Sequence, residues 1–410
     1  MNFVLVVLMA SMVLKDIGLA GNGLIIRSIS QFLALAIALF VAVPVLNAIF
    51  KRYALLFAYL VVLCLSSIQS RFVILSTLQV ASLFAVMLFF IAYHERVSRE
   101  GGTSFALTLF VFLGLPVCLA SMAFARLNPD VAYIHYAWNN TTRFRGLFQQ
   151  PAGLAALSGF TAGMLLWSSI RNTVKIPCVI GAVACLMMTF ARTFIFAFVL
   201  AVIIVLLLKG DISLFKKVGL TVVGGFLIMA LVGVYSYFSV VDGSGFHRAG
   251  NYAGEEEKLS DLTGRQNTWK RALQRVADAP WLGFGYTRGE DAMANPLRGN
   301  ERRSDRRNVF EYRPATYSLH SGYLQALLDA GVLGVSLYCA IILQAVAMVV
   351  RARKWLDRRV LFGVFFPLIS NFGESVLFSP STSMSLLSWF FLVSALSVGG
   401  RAGISGRNQA

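Results

Sequence analysis

Residues 316–354 read TYSLHSGYLQALLDAGVLGVSLYCAIILQAVAMVVRARK, and this stretch decides the class of the fold. Leu324, Leu327, Leu328 and Gly331 recur at i, i+3, i+4 and i+7, while Ser321, Gln325 and Asp329 form a polar stripe at i, i+4 and i+8. That spacing predicts an amphipathic helix where a polar loop re-enters a membrane. The apolar run continues to Val350 and stops at Arg351, Arg353 and Lys354. A helix crosses about 30 Å of hydrocarbon with about 20 such residues. Residues 323–350 therefore read as a membrane span that opens into a basic loop.

The same ruler, carried outward along the chain, predicts spans near 2–22, 30–50, 54–70, 72–93, 104–124, 152–170, 176–191, 192–208, 218–238, 323–350, 360–378 and 383–399. The expected fold is an all-α polytopic membrane protein of about 12 transmembrane helices with one long external loop. Composition agrees: hydrophobic residues make up 57% of the 410 and charged residues 13%, against about 25% charged in soluble domains. The first residues, MNFVLVVLMASMVL, lack a basic start and a small-residue cleavage site, which predicts a retained helix rather than a signal peptide. Lys15 and Asp16 interrupt that first span, and the break between the seventh and eighth rests on Ala191–Arg192.

Orientation follows from the short loops. Sixteen Lys and Arg side chains fall in one alternate set of loops, including Arg351, Arg353 and Lys354, and seven in the other. The richer side is expected to be cytoplasmic, with both termini, and the long polar stretch to be external. The expected division is 1–238 for nine membrane helices, 239–319 for the external loop, and 320–410 for the re-entrant helix and last three spans. The net charge of +17 then reads as loops facing membrane lipid, not as a nucleic-acid surface. No inverted repeat of broken spans appears, which argues against a transporter or flippase, the competing class.

Several chemistries lack their motifs. There is no GxxxxGK[ST] for nucleotide phosphates, no DxD pair and no HExxH. Gly283 and Gly285 in PWLGFGY make a bare GxG that reads as a turn. The five cysteines lie in apolar stretches without a CxxC pair and read as buried, inert thiols. No metal and no cofactor is expected.

What remains is arginine and histidine in unusual places. Arg192 separates two apolar runs, and a charge there is a functional hypothesis by default. Arg143 and Arg145 lie in TTRFRGLFQQPAG, just before a span. Arg265 lies in TGRQNTWKRAL, a helix start with Thr263 as cap and Trp269 and Leu273 on one face. His320 stands at the start of the helix quoted above, where the amides favour a neutral imidazole able to accept a proton and attract phosphate. Asp329 and Glu374 stand next in line as bases. Guanidinium forks suit a diphosphate leaving group without a metal.

These residues carry a resemblance. RFRGLFQQPAG before a span, the pair Arg192–Thr193 at a helix junction, TGRQNTWKRAL followed by PWLGFGY, and HSGYLQALLDAGVLG at the close of the loop together resemble the O-antigen ligase and Wzy-type polymerase superfamily. His320 is followed here by Ser where the family more often has Asn. The resemblance implies a GT-C-like fold and a metal-independent, inverting glycosyltransferase of the bacterial inner membrane. Its donor would be a glycan on undecaprenyl diphosphate, used at the periplasmic face alongside glycan-assembly proteins. By the same resemblance Arg192 and Arg265, with Arg143 and Arg145, would hold the diphosphate, and His320 would activate or position the acceptor hydroxyl. The acceptor separates two readings: another lipid-linked glycan for a polymerase of O-antigen or exopolysaccharide, lipid A–core for a ligase. Arg-Thr at 192–193 and the RFRGLF loop lean towards polymerase.

Overall fold

The structure, a computed structural model, describes residues 2–17, 50, 52–97, 103–136, 141–209, 265–294, 319–375 and 382–405. Its helices are α1 (Asn2–Asp16), α2 (Ala54–Gln69), α3 (Val73–Val97), α4 (Thr103–Leu127), the single turn α5 (Pro129–Ala132), α6 (Pro151–Leu166), α7 (Asn172–Met188) and α8 (Arg192–Leu208). There follow α9 (Arg265–Val276), α10 (Gly289–Ala294), α11 (Gly322–Arg351), α12 (Arg358–Ser370) and α13 (Ser383–Ser405). Ten of the expected spans coincide with a helix; 30–50 and 218–238 lie outside the described residues, as do most of 239–319 and Thr263.

Among the described residues three helices are long and apolar enough to cross a membrane: Val73–Arg96, Ala106–Leu127 and Gly322–Arg351. Six more are apolar but shorter, so the count of twelve is not reached on these residues. Their outer surfaces are greasy. Val61, Ile68, Ile74, Phe112, Ile180 and Leu343 are all exposed, and lipid is the solvent that tolerates such a surface on helices whose backbone bonds are satisfied internally. The chain is a helical membrane protein.

With hydrocarbon outside, helices associate through close packing rather than hydrophobic drive, and small residues permit it. Phe362 of α12 lies against Gly163 of α6, where a Cβ would collide with the ring. Phe362 stacks on Phe366 at 5.2 Å between centroids, and Phe160 meets them at 6.3 and 6.2 Å. α2 runs antiparallel to α11, with Ser66 Oγ donating to Asp329 O and Tyr59 stacked on Tyr338 at 6.0 Å. His94, buried in α3, keeps Nε2 3.2 Å from Phe390 O and is part of this core.

Two expectations need correction. The all-α reading misses an antiparallel hairpin, β1 (Tyr133–Tyr136) and β2 (Thr141–Phe144), with Tyr133 opposite Phe144 and Tyr136 opposite Thr141. Its aromatic and β-branched runs, YIHY and TTRF, suit a pleated strand. Cys118 and Cys185 are buried as expected, but Cys64 is exposed on the outward face of α2. An apolar stretch in a membrane helix has a lipid side as well as a core side.

The two ends of the bundle differ. Arg52 pairs with Glu95 and donates to Ser397 O at one end, where Lys209 Nζ also donates to Lys354 O at 3.3 Å. The opposite end holds the first residues of α6, α8 and α11.

Candidate functional site

α11 begins at Gly322 behind Ser321, which takes the N-cap position with extended backbone. His320 stands just ahead of the cap at φ +48°. A non-glycine residue there costs of order 1–3 kcal/mol and persists only when its surroundings hold it. They do so from both sides. Trp269 Nε1 donates to Leu319 O at 2.8 Å, and Gly322 N donates to Asn371 O at 2.9 Å.

The turn that follows α12 then delivers a carboxylate. Glu374 N donates to Ser370 O at 2.9 Å, and Glu374 Oε2 lies 3.1 Å from His320 Nδ1. The imidazole is 42% exposed and the carboxylate 20%, so the ring can be reached while its partner is sheltered. A histidine that gives Nδ1–H to a carboxylate presents Nε2 as the acceptor nitrogen in a fixed direction. This pairing was not legible in the sequence, because the two residues flank separate helices 54 positions apart; the remaining signal was a lone Glu just beyond an apolar span.

The arginines arrive at the same end. α7 stops at Met188, Phe190 adopts φ +50°, and α8 restarts at Arg192, whose side chain is exposed. The neighbouring Thr193 packs on Gly373, where an added Cβ would sit 2.7 Å from Thr193 Oγ1. The turn carrying Glu374 therefore touches the turn carrying Arg192. Arg265 is the first residue of α9, four positions before Trp269 and so about 6 Å away on the same helix face. Arg143 lies in β2 opposite Ile134. Arg145 fixes the hairpin, its Nε donating to Val131 O at 2.9 Å, and Gln149 N ties the segment to Asp16 O at 3.0 Å. The structure thus joins His320 to Glu374 and links their turn to Thr193, while Arg143 and Arg145 sit on a separate element.

Beneath His320, α11 is broken. Gly331 has φ +64° and ψ −166° inside a helix otherwise continuous to Arg351, and a Cβ there would strike the Trp281 backbone. The PWLGFGY segment enters this gap. Phe284 N and Gly285 N donate to Leu328 O and Asp329 O at 2.8 and 3.0 Å, and Val332 N returns a bond to Pro280 O at 2.8 Å. The GxG is a turn, with positive φ at both glycines. Asp329 is fully buried and accepts from Thr287 N at 2.8 Å, Gly289 N at 2.6 Å and Gln325 Nε2 at 2.9 Å. The expected polar stripe of Ser321, Gln325 and Asp329 therefore faces inward, with the loop supplying two of the donors to Asp329. Asp329 is a clamp, not an accessible base. Alongside, Trp269, Lys270, Leu273 and Gln274 line an open groove of about 550 Å³.

Residues 177–339 match the sequence profile of the O-antigen ligase family, a stretch that includes Arg192, Arg265 and His320 and ends before Glu374. No curated protein matches the chain.

Proposed function

Because residues 177–339 match the O-antigen ligase family, we propose that the chain is a metal-independent, inverting glycosyltransferase of the bacterial inner membrane. In this reading it polymerises glycan units carried on undecaprenyl diphosphate at the periplasmic face. The observation that carries the reading is the His320–Glu374 pair at 3.1 Å, set beside Thr193 and the helix headed by Arg192.

The chemistry is a displacement at the anomeric carbon. The acceptor hydroxyl gives its proton to His320 Nε2 as its oxygen bonds to that carbon, and the bond to the diphosphate oxygen breaks. Glu374 holds the ring and stabilises the imidazolium that forms. In this reading Arg192 and Arg265, with Arg143 and Arg145, neutralise the charge growing on the departing diphosphate. The match to a family described as O-antigen ligase favours a second reading in which lipid A–core is the acceptor.

Purified protein should be given lipid-linked glycan alone, then together with lipid A–core. A ladder of extended lipid-linked products with donor alone supports polymerase; product only when lipid A–core is present supports ligase. His320→Ala should lose about 10²–10⁴-fold in rate with folding and donor binding intact. A variant within a few-fold of the parent would remove His320 from the reaction.

A further inference from the structure

The proposed chemistry uses one end of the bundle. At the other, α11 gives way after Arg351 to a turn that leads into α12. Its backbone is fixed: Ala352 N donates to Met348 O at 2.9 Å, and Trp355 N and Leu356 N both reach Ala352 O, at 2.9 and 3.1 Å. Ala352 and Leu356 are buried and anchor the turn to the core, whereas Trp355 between them is 89% exposed. An ordered turn thus holds a large amphipathic ring outward. Arg351, Arg353 and Lys354 beside it are exposed too. The acid of the segment, Asp357, is engaged locally: it caps α12 by accepting from Arg359 N at 2.7 Å and pairs with the Arg359 guanidinium at 2.6 Å. Next to it, Leu166, Trp167, Ser168, Lys175, Asp357 and Arg358 line a groove of about 350 Å³.

We infer that the 351–358 turn and this groove form a binding site for the phosphate headgroup of an anionic phospholipid, in the leaflet opposite His320. Depth supports it. α11 is long enough to cross a membrane, so the turn after its last residue emerges among headgroups. A tryptophan at that level settles with its ring at the interface and its N–H among polar groups. Charge supports it as well: Arg351, Arg353 and Lys354 are exposed at headgroup level, and Lys175 and Arg358 line the groove, while the nearby carboxylate pairs with Arg359. An acidic protein segment would match the charge, but it would leave the ring at headgroup depth unexplained.

The test places the full chain in nanodiscs of zwitterionic lipid containing a small fraction of phosphatidylglycerol brominated near the headgroup. The Trp355 signal is the difference in fluorescence between parent and Trp355→Phe. Brominated phosphatidylglycerol should quench it far more than brominated phosphatidylcholine at the same fraction. Each of Arg353→Gln and Lys354→Gln should reduce that preference about fivefold, and either serves alone if the other inserts poorly. Equal quenching by the two lipids overturns the site, as does a preference unchanged in the single variants. A signal insensitive to both lipids but altered by added polyglutamate overturns it in favour of a protein partner.

Discussion

Asp329→Asn is the sharpest test of how the site is supported, because it keeps the shape and removes the charge. Oδ1 of Asp329 accepts from Gly289 N and Gln325 Nε2, and Oδ2 accepts from Thr287 N. An asparagine has one accepting oxygen. In its better orientation it retains the Oδ1 pair and turns an NH2 group towards the Thr287 N–H. One bond to a charged acceptor disappears, worth about 1.5–3 kcal/mol, and a sheltered N–H is left facing a donor, costing about 1–3 kcal/mol. The sum is about 2.5–6 kcal/mol, concentrated on the 283–289 turn. Local opening of that turn should become easier by about 10²–10⁴-fold. Hydrogen exchange read by mass spectrometry should show faster exchange in peptides covering 280–294, with those covering 358–370 unchanged. Because the same segment continues from the helix that docks Trp269 on Leu319 O, turnover should fall in parallel. Unchanged exchange at 280–294 would refute the clamp.

Three further outcomes follow from the geometry. Glu374→Gln keeps a hydrogen-bond acceptor beside Nδ1 but no charge for the imidazolium, so kcat should fall by about one to three orders of magnitude with KM for the donor little changed; a purely structural Glu374 would instead alter thermal stability and spare kcat. Arg192→Lys and Arg265→Lys each retain charge and lose the planar fork, so each should slow turnover at least tenfold while chelator leaves the parent unaffected; full activity in the double variant would remove the arginine model. Gly163→Val drives two methyl groups into the Phe362 ring and should cost about 1–3 kcal/mol, seen as a lower midpoint in detergent melting; an unchanged midpoint would mean that α6 and α12 do not touch there.

Where the chain is helical was legible, because a run of apolar residues ended by charge reports its own length. The restart at Arg192 was readable for the same reason, and His320 was placed correctly just ahead of a helix. The features that resisted reading all depend on partners distant in sequence. Gly331 fits an apolar face by spacing alone; only the docked PWLGFGY backbone reveals that it breaks the helix. The stripe of Ser321, Gln325 and Asp329 has the period of a wetted face, yet all three are buried, and the Asp329 carboxylate is met by Thr287 N, Gly289 N and Gln325 Nε2. Glu374 meets His320 across 54 positions, and no local pattern encodes that distance. The hairpin was hidden for a different reason: four-residue strands carry too few alternations to stand out beside membrane spans.

Asp16, which interrupts the first apolar run, bears on how the protein is made. Its carboxylate receives Ser383 N at 2.8 Å and Ser383 Oγ at 2.6 Å, while its carbonyl receives Gln149 N. α1 is thereby joined to α13, 367 positions later, and the segment that follows the hairpin hangs from the same residue. A nascent chain halted before Ser383 has already produced His320, Glu374 and every candidate arginine, but Asp16 still awaits two of its donors. Assembly of this end thus waits for α13, and chains that stop short of Ser383 lack the fastening that holds the hairpin's anchor in place.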